Sequence, residues 1–379
     1  MYFCQNKKLN HFKIVENEKY LTEQIVTYLG NKRKLLNNIC IEVELILQEL
    51  GVDKCNICDL FSGSGIVARA LKQYATTIYT NDLEKYSYII NDCYLTNSDE
   101  FNEKFYTECL EKILAEPLIE GVITKNYAPV DDNNIQEGER AFYTHYNAML
   151  IDTFRVAIDK YVPKSYQKYF IAPLLHEASV HANTSGVFKG FYKSKTKNVG
   201  KFGGEGENAL ERIMGKIELK KPIFSDNNAN VRLFQEDANI LVKHLKNLDI
   251  TYIDPPYNQH PYGSNYFMLN TIIDNKVDEE NISEVAGIPK KWNKSLYNKK
   301  NEALRTFEQL VNDIDSKYLI ISYNNEGFIS YDEMVSMLSK YGELKIKNID
   351  YIAFRGSRNL KERDIHTTEY LFVLNKRVE

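Results

Sequence analysis

Two hydrophobic periods alternate along the chain, and their order predicts an α/β protein with one long interruption. Leu35, Ile39, Val43 and Ile46 recur every three or four positions, which predicts a helix that opens within residues 28–36, runs to about 50 and ends at Gly51. A short apolar strand follows at 56–61, breaks into Ser62-Gly63-Ser64-Gly65, and gives way to a helix at 66–74. A second strand at 77–80 ends in Asn81-Asp82, with another helix from about 84. Between 99 and 226 the rhythm stops, and helical patterns at 100–114, 138–161 and 207–220 are separated by loops rich in Gly, Asn and Lys. The alternation resumes with a strand at 230–234, the turn Gln235-Glu236-Asp237, a helix to about 246 and an apolar strand at 248–253. Helices at 301–314 and 332–340 flank a strand at 318–322, and strands at 344–354 and 368–375 suit an antiparallel hairpin closing a mostly parallel sheet. The expected division is an α/β domain of residues 1–98 and 227–379, with 99–226 inserted as a mainly helical lobe.

Length supports that division, because 379 residues exceed what one core usually organises. No apolar run reaches 18 residues, and the first residues lack the apolar core of a signal peptide, so a cytoplasmic protein is expected. All six cysteines lie in the first third. Cys55 and Cys58 have metal-ligand spacing but no second pair or suitably placed His, so reduced, buried thiols and no metal are expected. The net charge of −4 excludes little, but its distribution is uneven. No acid occurs from 178 to 204 while Lys189, Lys193, Lys195, Lys197 and Lys201 accumulate. The same holds from 286 to 301 around Lys290, Lys291, Lys294, Lys299 and Lys300, and Arg355, Arg358, Lys361 and Arg363 cluster near the end. Aromatic residues interleave the first two stretches (Phe188, Phe191, Tyr192, Trp292, Tyr297), which points to a nucleic-acid partner.

The candidate chemistry centres on Asp254-Pro255-Pro256-Tyr257-Asn258, where the apolar strand ends. The two prolines bar the helical region at Asp254 and hold it extended at the strand's carboxyl end, the edge of an open α/β sheet where ligands bind. A carboxylate, backbone carbonyls and an aromatic face suit a flat, neutral ring bearing an amine, although Asp-Pro-Pro also makes ordinary turns. The Gly63-Ser64-Gly65 turn lets backbone approach a ligand, and Asp82 at the next strand's end can accept from both hydroxyls of a ribose. Ala68 replaces the third glycine of the dinucleotide pattern and no P-loop lysine follows. A nucleoside without a pyrophosphate, such as S-adenosylmethionine, therefore fits better than NAD or ATP.

In this order the motifs resemble the D12 class of DNA adenine-N6 methyltransferases, which includes the Dam methylase and many type II modification enzymes. Three blocks carry the resemblance over about residues 20–260: Tyr28-Leu29-Gly30-Asn31-Lys32-Arg33-Lys34-Leu35-Leu36, Asp59-Leu60-Phe61-Ser62-Gly63-Ser64-Gly65 and Asp254-Pro255-Pro256-Tyr257. The tail segments 322–327 and 354–360 look like the modification-enzyme branch. The resemblance implies a Rossmann-like, class I S-adenosylmethionine-dependent methyltransferase sheet, with 99–226 as the target-recognition domain. It also implies double-stranded DNA as substrate and a cognate restriction endonuclease as a separately acting companion. By the same resemblance Tyr28 and Lys32 cover the cofactor's methionine end, with Gly30 between them in the same motif. Asp59, Phe61, Gly63 and Gly65 form the floor, Asp82 holds the ribose, and Asp237 sits near the cofactor's adenine. Asp254, itself beside the cofactor, and the Pro255 carbonyl accept from the target N6 amine. Pro256 completes the rigid loop, and Tyr257 stacks on the flipped base. Asn183, Lys189, Lys193, Lys195, Lys197 and Lys201 are the expected DNA-binding residues. Asp-Pro-Pro-Tyr also serves RNA adenine-N6 methyltransferases, against which stand the Gly30-Asn31-Lys32 block and the insertion. A non-catalytic nucleic-acid-binding protein on this scaffold is disfavoured by the intact Asp254 loop.

Overall fold

In the computed structural model, residues 16–352 and 366–377 are described. Seven strands, β1 (Cys55–Asp59), β2 (Ala75–Asn81), β3 (Asn230–Phe234), β4 (Leu248–Ile253), β5 (Ser316–Asn324), β6 (Gly342–Ile352) and β7 (His366–Lys376), form one sheet in the order β3-β2-β1-β4-β5-β7-β6. The first five pair in parallel, and β7 runs antiparallel to both neighbours, so the hairpin expected near the C-terminus closes the sheet. Alternate side chains leave opposite faces of a strand. Ile57, Ile78, Ile250 and Ile320 accordingly join one apolar layer, whereas Cys58, Ile253, Leu319 and Ile321 join another. Helices Lys300–Asp313 and Tyr331–Leu338 cover the second face. With both faces covered, β4 and β5 need near-continuous apolar sequence, which is what they have.

Helix Leu36–Leu50 ends at Gly51 in the left-handed region, as its sequence predicts, but the helix begins later than residue 28. The 28–32 segment is a turn, followed by one 3-10 turn at Arg33–Leu35. The expected helix at 138–161 starts at His145, where Thr144 accepts from the Asn147 amide at 3.2 Å. The one at 207–220 shrinks to Leu210–Met214, because Gly215 turns extended. Helix Lys168–Val180 carries no sequence forecast: it is apolar on nearly every side and contains Pro173, so it shows no amphipathic period. Residues of the 99–226 segment such as Tyr106, Phe142 and Phe170 belong to the same apolar cluster as Ile57 and Ile250 of the sheet. A small separate cluster of Ala141, Phe202 and Ile213 supports the lysine-rich loop.

Cys40, Cys55, Cys58, Cys93 and Cys109 are buried and unpaired. Among the described residues no helix is long and apolar enough to cross a membrane. Arg355, Arg358, Lys361 and Arg363, the 354–360 tail segment and Cys4 lie outside the described residues.

Candidate active site

The strand order reverses between β1 and β4, and the crevice at the carboxyl ends there is the ligand position of an open α/β sheet. A cavity of about 910 Å³, counting its open mouth, occupies it. Its wall includes Tyr28, Gly30, Lys32, Asp59, Phe61, Gly63, Asp82, Asp237, Asp254 and Pro256, which brings most of the sequence candidates together. Gly65 sits behind this wall and heads helix Ile66–Leu71 in the left-handed region, where a Cβ would lie 2.8 Å from Asn91 Oδ1. Asp59 pairs in register with Tyr252 across β1 and β4, and the Leu60 amide donates to the Tyr252 carbonyl at 3.1 Å. This pairing sets the Asp254 loop opposite the Phe61–Gly65 turn.

Asp254 is held by charge. Lys32 Nζ lies 3.1 Å from Asp254 Oδ1 and 2.9 Å from Glu369 Oε1, and Lys32 and Glu369 are almost wholly buried. One cation thus faces two carboxylates, and Ser322 Oγ donates to Glu369 as well. Burial pushes the Asp254 carboxyl up to about 7 against the opposing pull of Lys32, with Glu369 adding to the rise. Burial disfavours the Lys32 ammonium, but Asp254 and Glu369 outweigh it and hold the group well above its ordinary value. Pro255 is buried, and the part-buried Tyr257 packs edge-on to Tyr323 with Lys32 Nζ 5.9 Å from its ring centre. Glu369 comes from β7, and nothing in its sequence surroundings marks it as a site residue.

The floor opposite Asp254 is acidic. Asp59 is buried, and among the described residues neither of its carboxyl oxygens has a well-formed hydrogen bond, although the Ala68 and Phe61 amides lie close enough to offset part of the burial. Burial, then the neighbouring Asp254 and Asp82, hold its carboxyl well above the usual range. Asp82 accepts from the Gly63 amide at 2.8 Å and the Glu84 amide at 2.9 Å, so it also clamps the glycine turn. Gly63 is positive in φ and packs under Tyr28, whose ring a Cβ would meet at 2.9 Å. Asp237 caps helix Ala238–Leu241, accepting from the Asn239 and Ile240 amides, and also borders the cavity. Sequence reasoning passed over Glu84, which lines the cavity, accepts from Asn270 at 2.8 Å and is raised by burial to about 7. It also passed over Tyr262 and Tyr266, which cluster with Tyr28 as three near-parallel rings, their centres 5.0 and 4.6 Å from that of Tyr28 and 6.0 Å from each other. The Tyr266 hydroxyl accepts from the Leu29 amide at 2.6 Å, and the Tyr262 hydroxyl donates to the Leu29 carbonyl at 3.2 Å. This stack fixes the 28–32 turn over the cavity.

Residues 28–337 match the family described as D12 class N6 adenine-specific DNA methyltransferase. The chain belongs to this family. It is 30% identical to the type II methyltransferase M.NlaIII of Neisseria lactamica over 358 residues, covering 93% of this chain and 99% of the relative. It is likewise 30% identical over 357 residues to the type II methyltransferase M.CviAII of Paramecium bursaria Chlorella virus 1, covering 92% and 97%. Against the type II methyltransferase M.FokI of Planomicrobium okeanokoites the identity is 28%, with 92% of this chain matched to 52% of that longer protein.

As a D12-class methyltransferase the protein acts on adenine in DNA, with S-adenosylmethionine as methyl donor. The cavity suits that cofactor, because its unpartnered buried carboxyl oxygens at Asp59 would meet an ammonium and its acidic strand ends would meet hydroxyls. The lysine-rich loop of the methyltransferase is mixed in character. Lys189, Lys195 and Lys197 are exposed, Lys193 lies over the Phe191 ring at 5.4 Å, and Lys201 pairs with Glu205 at 3.0 Å. Asn183, expected to bind DNA, is instead fully buried. Its amide donates to the Ala141 and Lys201 carbonyls and accepts from the Gly203 amide, so every side-chain group is engaged in bracing the loop's base.

Proposed function

We propose that the chain is the modification methyltransferase of a type II restriction–modification system, methylating N6 of an adenine turned out of the duplex at one short sequence. Its companion would be an endonuclease acting separately on the same sequence. The observation that carries this reading is Asp254, stiffened by two prolines and held by Lys32, facing Asp59 and the glycine turn across one cavity. In this reading Asp59 takes the cofactor's ammonium, Tyr28, Gly30, Phe61 and Gly63 enclose its methionine end, and Gly65 shapes the turn. Asp82 and Glu84 accept from the ribose, and Asp237 accepts from the adenine amine.

S-adenosylmethionine supplies an electrophilic methyl on sulfur and leaves as S-adenosylhomocysteine. The target N6 is a poor nucleophile because its lone pair is delocalised into the ring. Asp254 and the Pro255 carbonyl, both fixed by the rigid loop, accept its two N–H bonds and favour the pyramidal amine. As the N–C bond forms and the C–S bond breaks, positive charge grows on N6 beside the Asp254 carboxylate. One N6 proton then leaves to that carboxylate and on to solvent. Stacking on Tyr257, together with lysines on the backbone, offsets the few kcal/mol that extruding the base costs.

Labelled-methyl transfer to mixed genomic DNA tests the proposal. The label should be lost to DNase and resist RNase, and long-read sequencing of DNA from expressing cells should show N6-methyladenine in a single motif. Label in the RNase-sensitive fraction, or none, would refute it. A narrower prediction concerns Asp59. Asp59→Asn should weaken S-adenosylmethionine binding by about 10- to 100-fold, the worth of one hydrogen bond to a charged group. An ammonium binds the ionised form of Asp59, and the carboxyl is raised, so wild-type affinity should rise with pH through the range where it ionises. Calorimetry in buffers of different ionisation enthalpy reads both effects, and pH-independent binding would remove Asp59 from the ammonium site.

A further inference from the structure

A second cleft of about 920 Å³, counting its open mouth, lies against the first and draws on both described basic stretches, through Lys189 on one side and Lys290 and Trp292 on the other. The two clefts share walls. Pro261 and Ser264 border the outer one while Tyr262 and Gly263, between them in sequence, border the inner one. Trp292 likewise faces the outer cleft and its neighbour Asn293 the inner one. A ligand lying outside therefore shares walls with the methyl-transfer cavity at 261–264 and 292–293.

Both rims are anchored. The Phe188 amide donates to the Asn265 carbonyl at 2.7 Å, which fixes the loop bearing Lys189 to helix Tyr262–Asn265. On the other rim the Lys290 amide donates to the Asn281 carbonyl at 2.7 Å and the buried Tyr127 hydroxyl to the Gly287 carbonyl at 2.9 Å. Asn293 Nδ2 reaches the Leu83 carbonyl at 3.0 Å. The backbone on either side is thus held in place, with no carboxylate among the described residues of the lining. Lys290 Nζ touches a backbone carbonyl, that of Glu280, at 3.3 Å. Partial desolvation lowers the Lys189 ammonium, and no carboxylate among the described residues offsets the lost hydration. In the same cleft Trp292, the chain's single tryptophan, leaves 36% of its surface in water. Two lysines on anchored backbone, with no carboxylate among the described lining residues and an exposed indole in the same cleft, match a strand's phosphates and base faces.

Taking the chain as a DNA methyltransferase, we infer that this outer cleft seats the DNA strand next to the extruded adenine, with Lys189 and Lys290 on phosphates and the Trp292 indole on the face of an adjacent base. Target engagement then includes the 281–293 hairpin and is not confined to residues 99–226.

Because Trp292 is the only indole, its emission reports the site without a substitution. Sonicated genomic duplex, added in the presence of S-adenosylhomocysteine, should quench it, whereas heparin, an anion without bases, should not. A Lys189→Ala/Lys290→Ala variant should bind the duplex at least about 10-fold more weakly at low salt. Its log–log salt slope should become shallower by about 2, because two fewer phosphates would be neutralised and each releases about one counterion. S-adenosylmethionine affinity should be unchanged. Emission unmoved at saturating DNA, equal quenching by heparin, or an unaltered salt slope would each overturn the inference. If the wild type methylates DNA while Trp292 stays silent, this inference fails alone. If it methylates no DNA, the underlying reading fails with it.

Discussion

Asp254→Ala should lower methyl transfer to DNA by at least about 100- to 1000-fold in kcat, the scale for removing one preorganised electrostatic contact to a reacting atom. Thermal stability should not fall. The reason lies in the charge count around Lys32, which holds Asp254 at 3.1 Å and Glu369 at 2.9 Å. Deleting Asp254 leaves a matched Lys32–Glu369 pair and removes the surplus carboxylate, so no buried charge loses its last partner. Labelled-methyl incorporation at saturating substrate, beside a melting curve, separates the two effects. Near-normal turnover would exclude Asp254 from the reaction, and a large fall in melting temperature would make it a structural residue. In the wild type the carboxylate must be ionised to accept from N6. With Asp254 raised to about 7 in the free enzyme, kcat/KM should climb along an acid limb near that pH and flatten above it.

What the sequence made legible divides along physical lines. Asp254, Gly63 and Gly51 could be read because proline and glycine act on their own stretch of backbone, whatever packs against it. The strand-end position of Asp82 followed from a short strand meeting a turn, and Asp59 was marked by the motif Asp59-Leu60-Phe61-Ser62-Gly63-Ser64-Gly65. Glu369 could not be read that way, because its approach to Lys32 depends on the register that pairs it with Asn324 across β5 and β7. Glu84 and the Tyr28–Tyr262–Tyr266 stack were hidden for the same reason, being contacts between segments far apart in the chain. Asn183 was misread from composition: a polar residue beside lysines suggested a surface, yet its amide is satisfied by three backbone groups inside the loop. Helix Lys168–Val180 escaped because an element buried almost all round has no polar face to set a period.

Lys32→Met and Glu369→Gln should move the acid limb of kcat/KM in opposite directions. Charged and titratable groups face Asp254 from six elements: Lys32 from the 28–32 turn, Glu369 from β7, Asp59 from β1, Tyr252 from β4, Tyr257 from the loop after it and Tyr262 from helix Tyr262–Asn265. Removing the Lys32 cation withdraws what holds the Asp254 carboxyl down, so the limb should shift above pH 7. Removing the Glu369 charge withdraws a like-charge neighbour, so the limb should shift below it. Stability should separate the variants as well. Lys32→Met strands two carboxylates around an apolar side chain and should cost about 3–5 kcal/mol, the usual penalty for breaking a buried ion pair from one side. Glu369→Gln keeps the Lys32–Asp254 pair and should cost much less. In the double variant a lone, partly hydrated Asp254 remains, so its loss should be smaller than that of Lys32→Met alone, a non-additivity expected of groups sharing one partner. Denaturant melts and pH–rate profiles of the three proteins measure both effects. Acid limbs that move together would mean that Asp254 does not set the limb, and additive losses would mean that Lys32 does not join the two carboxylates.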